Sequence, residues 1–456
     1  MIRLICALLV GVSSLAQAER PNILVFITDD VGWKDFGCYG NDVIRTPNID
    51  KLAARGLLFE NAFLTIAQCS PSRISMMTGR YPHATGAEDL HMPLPEGTKM
   101  IPAHLSEAGY FTGGMKKMHF GKHGEAQFDW YNGGLTRLDD FLNEAEEKPF
   151  FMWVGFSDAH RPYADGAFDP PQDPKTLEVP PYLVDTPETR KDLADYYDEI
   201  SRLDSVIGEH LAILKKRKLL KNTFVMFVSD NGMPFPRAKG TVYDSGIGTP
   251  LIMAWPGEID EARRYAGLTS VIDLAPTILE VAGLDPAGRE YQGKSLMPVI
   301  RGEEVAGATQ VFSERNWHNC DEHIRSVRTE KYKLIRNAYL DLPHGTPADL
   351  GKSPSFADLL TVKKAGTLSP AQAGLFVVPR PAYELYDVQA DPWETNNIVN
   401  QSEMADVVAQ LSRALEQWRA DTGDFTSEYR RRGDNTNRFT GVKFTRENPP
   451  MTHPLP

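Results

Sequence analysis

Asn22-Ile23-Leu24-Val25-Phe26-Ile27-Thr28 is an unbroken apolar run that ends directly in Asp29-Asp30. It shows no polar alternation, so both faces of the strand it predicts are covered, as in a parallel sheet between helices. The pattern recurs. Phe150 to Phe156 is apolar and leads to Asp158 and His160, and Thr223 to Val228 leads to Asp230-Asn231-Gly232. Leu251 to Trp255 reads as a fourth strand. Asn48 to Arg55, with Gly56 as C-terminal cap, and Asp192 to Leu214 have helical periodicity. Strands alternating with helices predict an α/β fold with a large mixed, mostly parallel sheet flanked by helices. Ligands of such sheets bind beyond the carboxyl ends of the strands. One Asp or Asn at a strand end is ordinary turn chemistry. Three strand ends bearing carboxylate, amide or imidazole groups predict a site.

After about residue 320 the pattern changes. Ile324 to Asn337 predicts a hairpin turning at Thr329-Glu330, Tyr383 to Val388 a strand, and Met404 to Trp418 an amphipathic helix. We therefore expect a catalytic domain over 19–321 and a smaller α+β domain with an antiparallel sheet over 322–456. The tail from Ser427, rich in Arg, Asn, Thr and Pro, is expected to run over the surface.

The 456 residues carry 49 Lys and Arg against 61 Asp and Glu, a formal net charge of −12. That balance, without a long basic stretch, argues against nucleic acid as a partner. The run Lys215-Lys216-Arg217-Lys218 reads as a solvated helix end. An apolar content of 41% with 10% aromatics argues against disorder. Residues 1–18 read as a secretory signal peptide: Arg3, the apolar stretch Leu4 to Val12, and Ala16-Gln17-Ala18 as cleavage site. No other stretch approaches the roughly 18 apolar residues of a membrane span, so no stable membrane insertion is expected. Cys6 leaves with the signal, and Cys38, Cys69 and Cys320 remain, an odd number for an exported chain.

Cys69-Ser70-Pro71-Ser72-Arg73, followed by Met77-Thr78-Gly79-Arg80, is the most specific stretch. Alone, a cysteine at a helix start is more often structural than reactive. This Cys-x-Pro-Ser-Arg arrangement resembles the sulfatase family. The resemblance implies an alkaline-phosphatase-like fold and conversion of Cys69 to Cα-formylglycine by a maturation enzyme. One hydroxyl of the hydrated aldehyde would attack sulfur, and the other would lose its proton to expel sulfate. A thiol has no geminal hydroxyl for that second step. If Cys69 is converted, Cys38 and Cys320 remain as possible disulfide partners.

The rest of the chain extends the resemblance. Asp29-Asp30 with Gly32-Trp33, and Asp230-Asn231-Gly232, are similar to the family's two metal pairs. With an oxygen of modified Cys69 they imply an all-oxygen site suited to Ca²⁺, ahead of Mg²⁺ with its tighter octahedral demand. Gly109 to His119 resembles the second signature, with Lys117 and His119 at its Lys and His positions. Lys116 stands there for the usual Gly, and Met118 for the usual Trp. His160 matches the sulfate-binding His, and Lys239 the second Lys or Arg position; Gly248 replaces a frequent Arg. By the same resemblance, Arg73, Lys117 and Lys239 would stabilise sulfate charge. His160, assisted by Lys239, would protonate the leaving group, His119 would trigger elimination, and Asp230 would accept the proton of the attacking hydroxyl.

Ser229 to Pro236, Arg325 to Asn337 and Ser353 to Leu360 are similar to the sulfamidase (heparan N-sulfatase) branch, with His91 and His318 as candidate sugar contacts. Arg161-Pro162-Tyr163 departs from that branch, whose loop is longer. The expected activity is release of sulfate from a sulfated carbohydrate, with N-sulfoglucosamine at a chain end as one substrate. An O-sulfatase on another glycan, a phosphoester or phosphonate hydrolase of the same superfold, and a non-catalytic glycan binder remain open. Export points to the periplasm or the extracellular medium, or to a lysosome in a eukaryotic source.

Overall fold

β1 (Asn22–Thr28) is buried along its whole length in the computed structural model, which describes residues 20–426. The expected signal peptide over 1–18 and the tail from Ser427 lie outside the described residues. β1 pairs in parallel with β5 (Phe150–Gly155) on one side and β6 (Thr223–Ser229) on the other. Around this centre lie β2 (Leu57–Phe63), β3 (Phe111–Lys116), β4 (Trp130–Asn132), β7 (Leu251–Ala254) and β8 (Arg263–Ser270). The eight-stranded order is β4-β3-β5-β1-β6-β7-β2-β8. β7 runs antiparallel to both its neighbours; the other pairings are parallel.

The unbroken apolar run of β1 has a simple cause. Ile23, Val25 and Ile27 face one apolar layer with Ile74 and Met77 of the helix Cys69–Thr78. Leu24 and Phe26 face the other, with Leu193 and Ile200 of the helix Pro187–Lys216. Each such side chain contributes about 1.5–3 kcal/mol on burial. The long helix starts where Thr186 accepts a hydrogen bond from Thr189 N and Pro187 occupies the first turn.

A second sheet, order β12-β11-β10-β9, is antiparallel throughout: β9 (Val311–Arg315), β10 (Ile324–Arg328), β11 (Tyr332–Asn337) and β12 (Tyr383–Asp387). β9 lies ahead of residue 322, so this sheet begins on the N-terminal side of the boundary expected there. The helix Ala405–Thr422 covers it, packing Leu411, Leu415 and Trp418 against Val327, Leu334 and Leu385. Buried Lys333 of β11 contacts Asp244, in the short helix Asp244–Ile247 between β6 and β7, and, at 2.7 Å, Glu394 Oε1 beyond β12. Cys38 and Cys320 are not a pair: both are free thiols. Cys38 lies in the turn Gly37–Tyr39, held through its N–H by Asp50, and Cys320 packs beside Gly345.

Candidate active site

Register builds the site. Thr28 is level with Ser229, so Asp29-Asp30 and Asp230-Asn231 emerge side by side from β1 and β6. Asp230 N donates to Thr28 O at 3.2 Å, and Asp29 N donates to Asp158 O, beyond β5, at 3.0 Å. Asp30 takes φ 64°, and its N–H donates to Asp230 Oδ1 at 3.2 Å. Asn231 Nδ2 donates to Asp30 Oδ1 at 2.5 Å. Cys69, first residue of its helix, puts Sγ 3.4 Å from Asp29 Oδ1 and 3.9 Å from Asp30 Oδ1. One atom from each of Asp29, Asp30, Cys69 and Asp230 lies within 4.8 Å of the others.

Three cations face these acids. Arg73 Nε donates to Asp230 Oδ2 at 2.7 Å, and its Nη1 donates to the Lys117 carbonyl at 2.8 Å. Lys117 Nζ donates to Asp29, and Lys239 Nζ donates to Asp30 Oδ2 at 2.7 Å. Lys117 reaches its place because β5 ends in glycine. Its N–H donates to Gly155 O at 2.8 Å, and a Cβ on Gly155 would lie 1.8 Å from Lys117 O.

Burial alone would raise the pKa of Asp29, but Lys117 and Arg73 outweigh it and hold the carboxyl well below its usual range. Burial raises Asp230 to about 6 against the pull of Arg73. Burial also pushes the Cys69 thiol well above its usual range, so the unmodified side chain is a neutral, weak nucleophile. Burial and Lys117 hold His119 well below an ordinary imidazole, so its ring is neutral.

The remaining sequence candidates gather here as well. His160 Nδ1 lies 2.5 Å from Arg161 O, and its Nε2 faces Asp349 Oδ2 at 3.5 Å. His91 is exposed, 5.0 Å from His119 between ring centroids. His318 is buried, and burial together with Lys239 pushes it down to about 3. Of the departures, Met118 is 4% exposed and packs in the core against Gly114, so it forms no pocket wall. Lys116 is exposed at φ 57°, a conformation that glycine adopts without strain. Trp33 packs over Gly248, leaving no room there for a side chain.

Two residues escaped sequence reading. Asp349 Oδ2 accepts from Lys239 Nζ at 2.6 Å. Trp317, from the loop after β9, packs with Leu90 against Cys69. Its N–H donates to Asp89 Oδ1 at 2.9 Å, and its carbonyl accepts from Leu90 N at 3.1 Å. Neither residue sits in a motif. The signal available was position only, in a loop flanking the second sheet.

The donor set fits a hard cation. Asn231 Oδ1 is buried without a hydrogen-bond partner beside the carboxylates of Asp29, Asp30 and Asp230. Four carboxylates, counting Asp349, face Arg73, Lys117 and Lys239. That leaves one negative charge in excess, and a divalent cation reverses its sign. The filled site suits an anionic substrate.

The sulfatase family model matches residues 21–136 and 132–284. A model described as N-sulphoglucosamine sulphohydrolase, C-terminal, matches residues 237–364. The chain is 32% identical to N-sulphoglucosamine sulphohydrolase of Homo sapiens, over 92% of this chain and 93% of that protein. It is 28% identical to an ulvan-active sulfatase of Formosa agariphila, over 90% of this chain and 77% of that one. One similar solved structure holds its substrate D-glucosamine-2-N,6-O-disulfate: TM-score 0.69, 20% identity, 89% of this chain and 99% of that chain. Another is the phosphonate monoester hydrolase of Agrobacterium radiobacter: TM-score 0.68, 19% identity, 88% of this chain and 96% of that chain. The two-sheet architecture described above is the alkaline-phosphatase-like fold of these structures.

Proposed function

The chain belongs to the sulfatase family, and from that premise we propose that it releases sulfate from a sulfated carbohydrate, with N-sulfoglucosamine at a glycan chain end as substrate. The observation that carries the reaction is the meeting of Asp29, Asp30, Asp230 and Cys69 with Arg73, Lys117 and Lys239 at one strand-end site. The sugar rests on the match of residues 237–364 and on the 32% identity to N-sulphoglucosamine sulphohydrolase.

Cys69, converted to Cα-formylglycine, would supply a hydrated aldehyde as nucleophile. A Ca²⁺ held by Asp29, Asp30, Asp230 and Asn231 would polarise a sulfate oxygen. The chain's own side chains account for the rest. Arg73 and Lys117 hold sulfate charge in a buried setting, where fixed cations act more strongly than in water. His160 and Lys239 give a proton to the leaving oxygen or nitrogen. The neutral ring of His119 accepts one when sulfate is expelled. His91 and His318 contact the sugar. Export through residues 1–18 and a formylglycine-generating enzyme as maturation partner belong to the same reading. Among the described residues no helix is long and apolar enough to cross a membrane.

Sulfate release from N-sulfated and O-sulfated glucosamine tests the substrate. Cleavage of O-sulfates alone would replace it with the O-sulfatase reading. Mass spectrometry of the peptide Ile66 to Arg73 tests the nucleophile. Conversion removes sulfur and two hydrogens and adds an oxygen. Cys69→Ala should abolish turnover with the fold intact, and retained turnover would reject the assignment.

A further inference from the structure

Asp349 belongs to no motif and lies in the irregular segment before the helix Pro354–Ala365. Its carboxylate nevertheless joins two residues that arrive from different strand ends. Oδ2 accepts from Lys239 Nζ at 2.6 Å and stands 3.5 Å from His160 Nε2. Asp349 Oδ1 is buried with no hydrogen-bond partner. The His160 ring is set from its other side by the Arg161 carbonyl, 2.5 Å from Nδ1. The second partner of Lys239 is Asp30, at 2.7 Å, which also belongs to the candidate cation cluster. A cation there competes with Lys239 for Asp30. Asp349 is the partner of Lys239 outside the Cys69 cluster, although one of its oxygens also lies within 4.8 Å of Asp30 and His160.

We propose that Asp349 is a positioning residue that holds Lys239 and His160 together as the proton-donating pair on the leaving-group side. This rests on the sulfohydrolase reading above. In the step it serves, an N–H bond of His160 or Lys239 breaks and its proton passes to the leaving oxygen or nitrogen. That atom takes the electron pair of the breaking S–O or S–N bond.

The test exploits the leaving group. A sugar alkoxide or amine needs the proton, whereas 4-nitrophenolate leaves without one, and general acid catalysis contributes about 10²–10⁴-fold where it is needed. The matured, Ca²⁺-loaded enzyme and its D349N and D349E variants are assayed on N-sulfoglucosamine, on glucosamine-6-sulfate and on 4-nitrophenyl sulfate. For the sugar that the wild type hydrolyses, D349N should lower kcat about 100-fold with KM changed only a few-fold. Its loss on 4-nitrophenyl sulfate should be at least tenfold smaller, and D349E should recover part of kcat on the sugar. Equal losses on both substrate types, a loss confined to KM, or no loss would overturn the proposal while leaving the function standing. A wild type inactive on all three overturns the function reading and this proposal with it. Thermal melts of both variants show whether a loss reflects unfolding. If D349N does not fold, D349E decides by the same contrast.

Discussion

Arg73 Nε donates to Asp230 Oδ2 at 2.7 Å, and neither side chain has any exposure to solvent. Removing one partner of such a pair leaves a buried charge uncompensated, at a cost of about 3–5 kcal/mol. Arg73→Ala should therefore lose about that much stability in EDTA and lack turnover. In Ca²⁺ the loss should be smaller, because the ion takes over part of the compensation of Asp230. Urea unfolding in the two buffers measures the difference, and equal losses would argue that Asp230 does not face the ion.

The excess negative charge of the site makes a second expectation. A ligand bound only by the folded chain at 100 times its Kd adds about 2.7 kcal/mol. Ca²⁺ should raise Tm, and EDTA should lower it and stop turnover. Asn231→Ala removes the unpartnered Oδ1 and should weaken Ca²⁺ binding about tenfold or more, read by calorimetric titration.

Gly155 sets the place of Lys117. In Gly155→Ala the new Cβ would meet Lys117 O at 1.8 Å, so backbone must move. Overpacking of this kind costs about 1–3 kcal/mol. A displacement near 1 Å costs about 100-fold in rate. Normal kcat in a folded Gly155→Ala enzyme would show that Lys117 tolerates displacement.

Asp35 predicts a pH effect away from the site. It accepts from Tyr196 OH at 2.7 Å and Tyr197 OH at 3.2 Å, and burial raises its pKa from 3.8 to about 6. Between those values the unfolded chain releases the proton and the folded chain keeps it, so stability falls as pH rises from about 4 to about 6. At roughly 1.4 kcal/mol per pH unit, the loss approaches about 3 kcal/mol and persists above pH 6. Asp35→Asn should remove this decline and be the more stable form at pH 7. Urea midpoints at pH 4.5 and 7 for both proteins check it; parallel shifts would show that Asp35 ionises normally.

The central strands were legible because both faces of β1, β5 and β6 are buried, and continuous burial writes a continuous apolar run. β8 was not legible. It lies at the sheet edge and alternates partly exposed and exposed residues before its buried end. The antiparallel course of β7 was hidden too, since a short apolar run looks alike in either direction. Asp29, Asp30, Cys69, Arg73, Asp230 and Asn231 were readable because strand and helix ends fix their place in a local motif. Asp349 was not, because it meets Lys239 across 110 residues from an irregular loop. Nor did the residue count predict the state of Cys38 and Cys320. An odd cysteine left over does not bring the other two together, and both are free.

The cover of Trp317 over Cys69 has a consequence in time. Cys69 is 3% exposed in the folded chain, and Trp317 follows it by about 250 residues. At 5–20 residues per second, synthesis of that interval takes roughly 12–50 s. For that period the cysteine exists and the residue that closes over it does not. Any enzyme that must reach the Cys69 side chain has at least that interval, and the Trp317 contact forms only when the loop after β9 settles against Leu90 and Cys69.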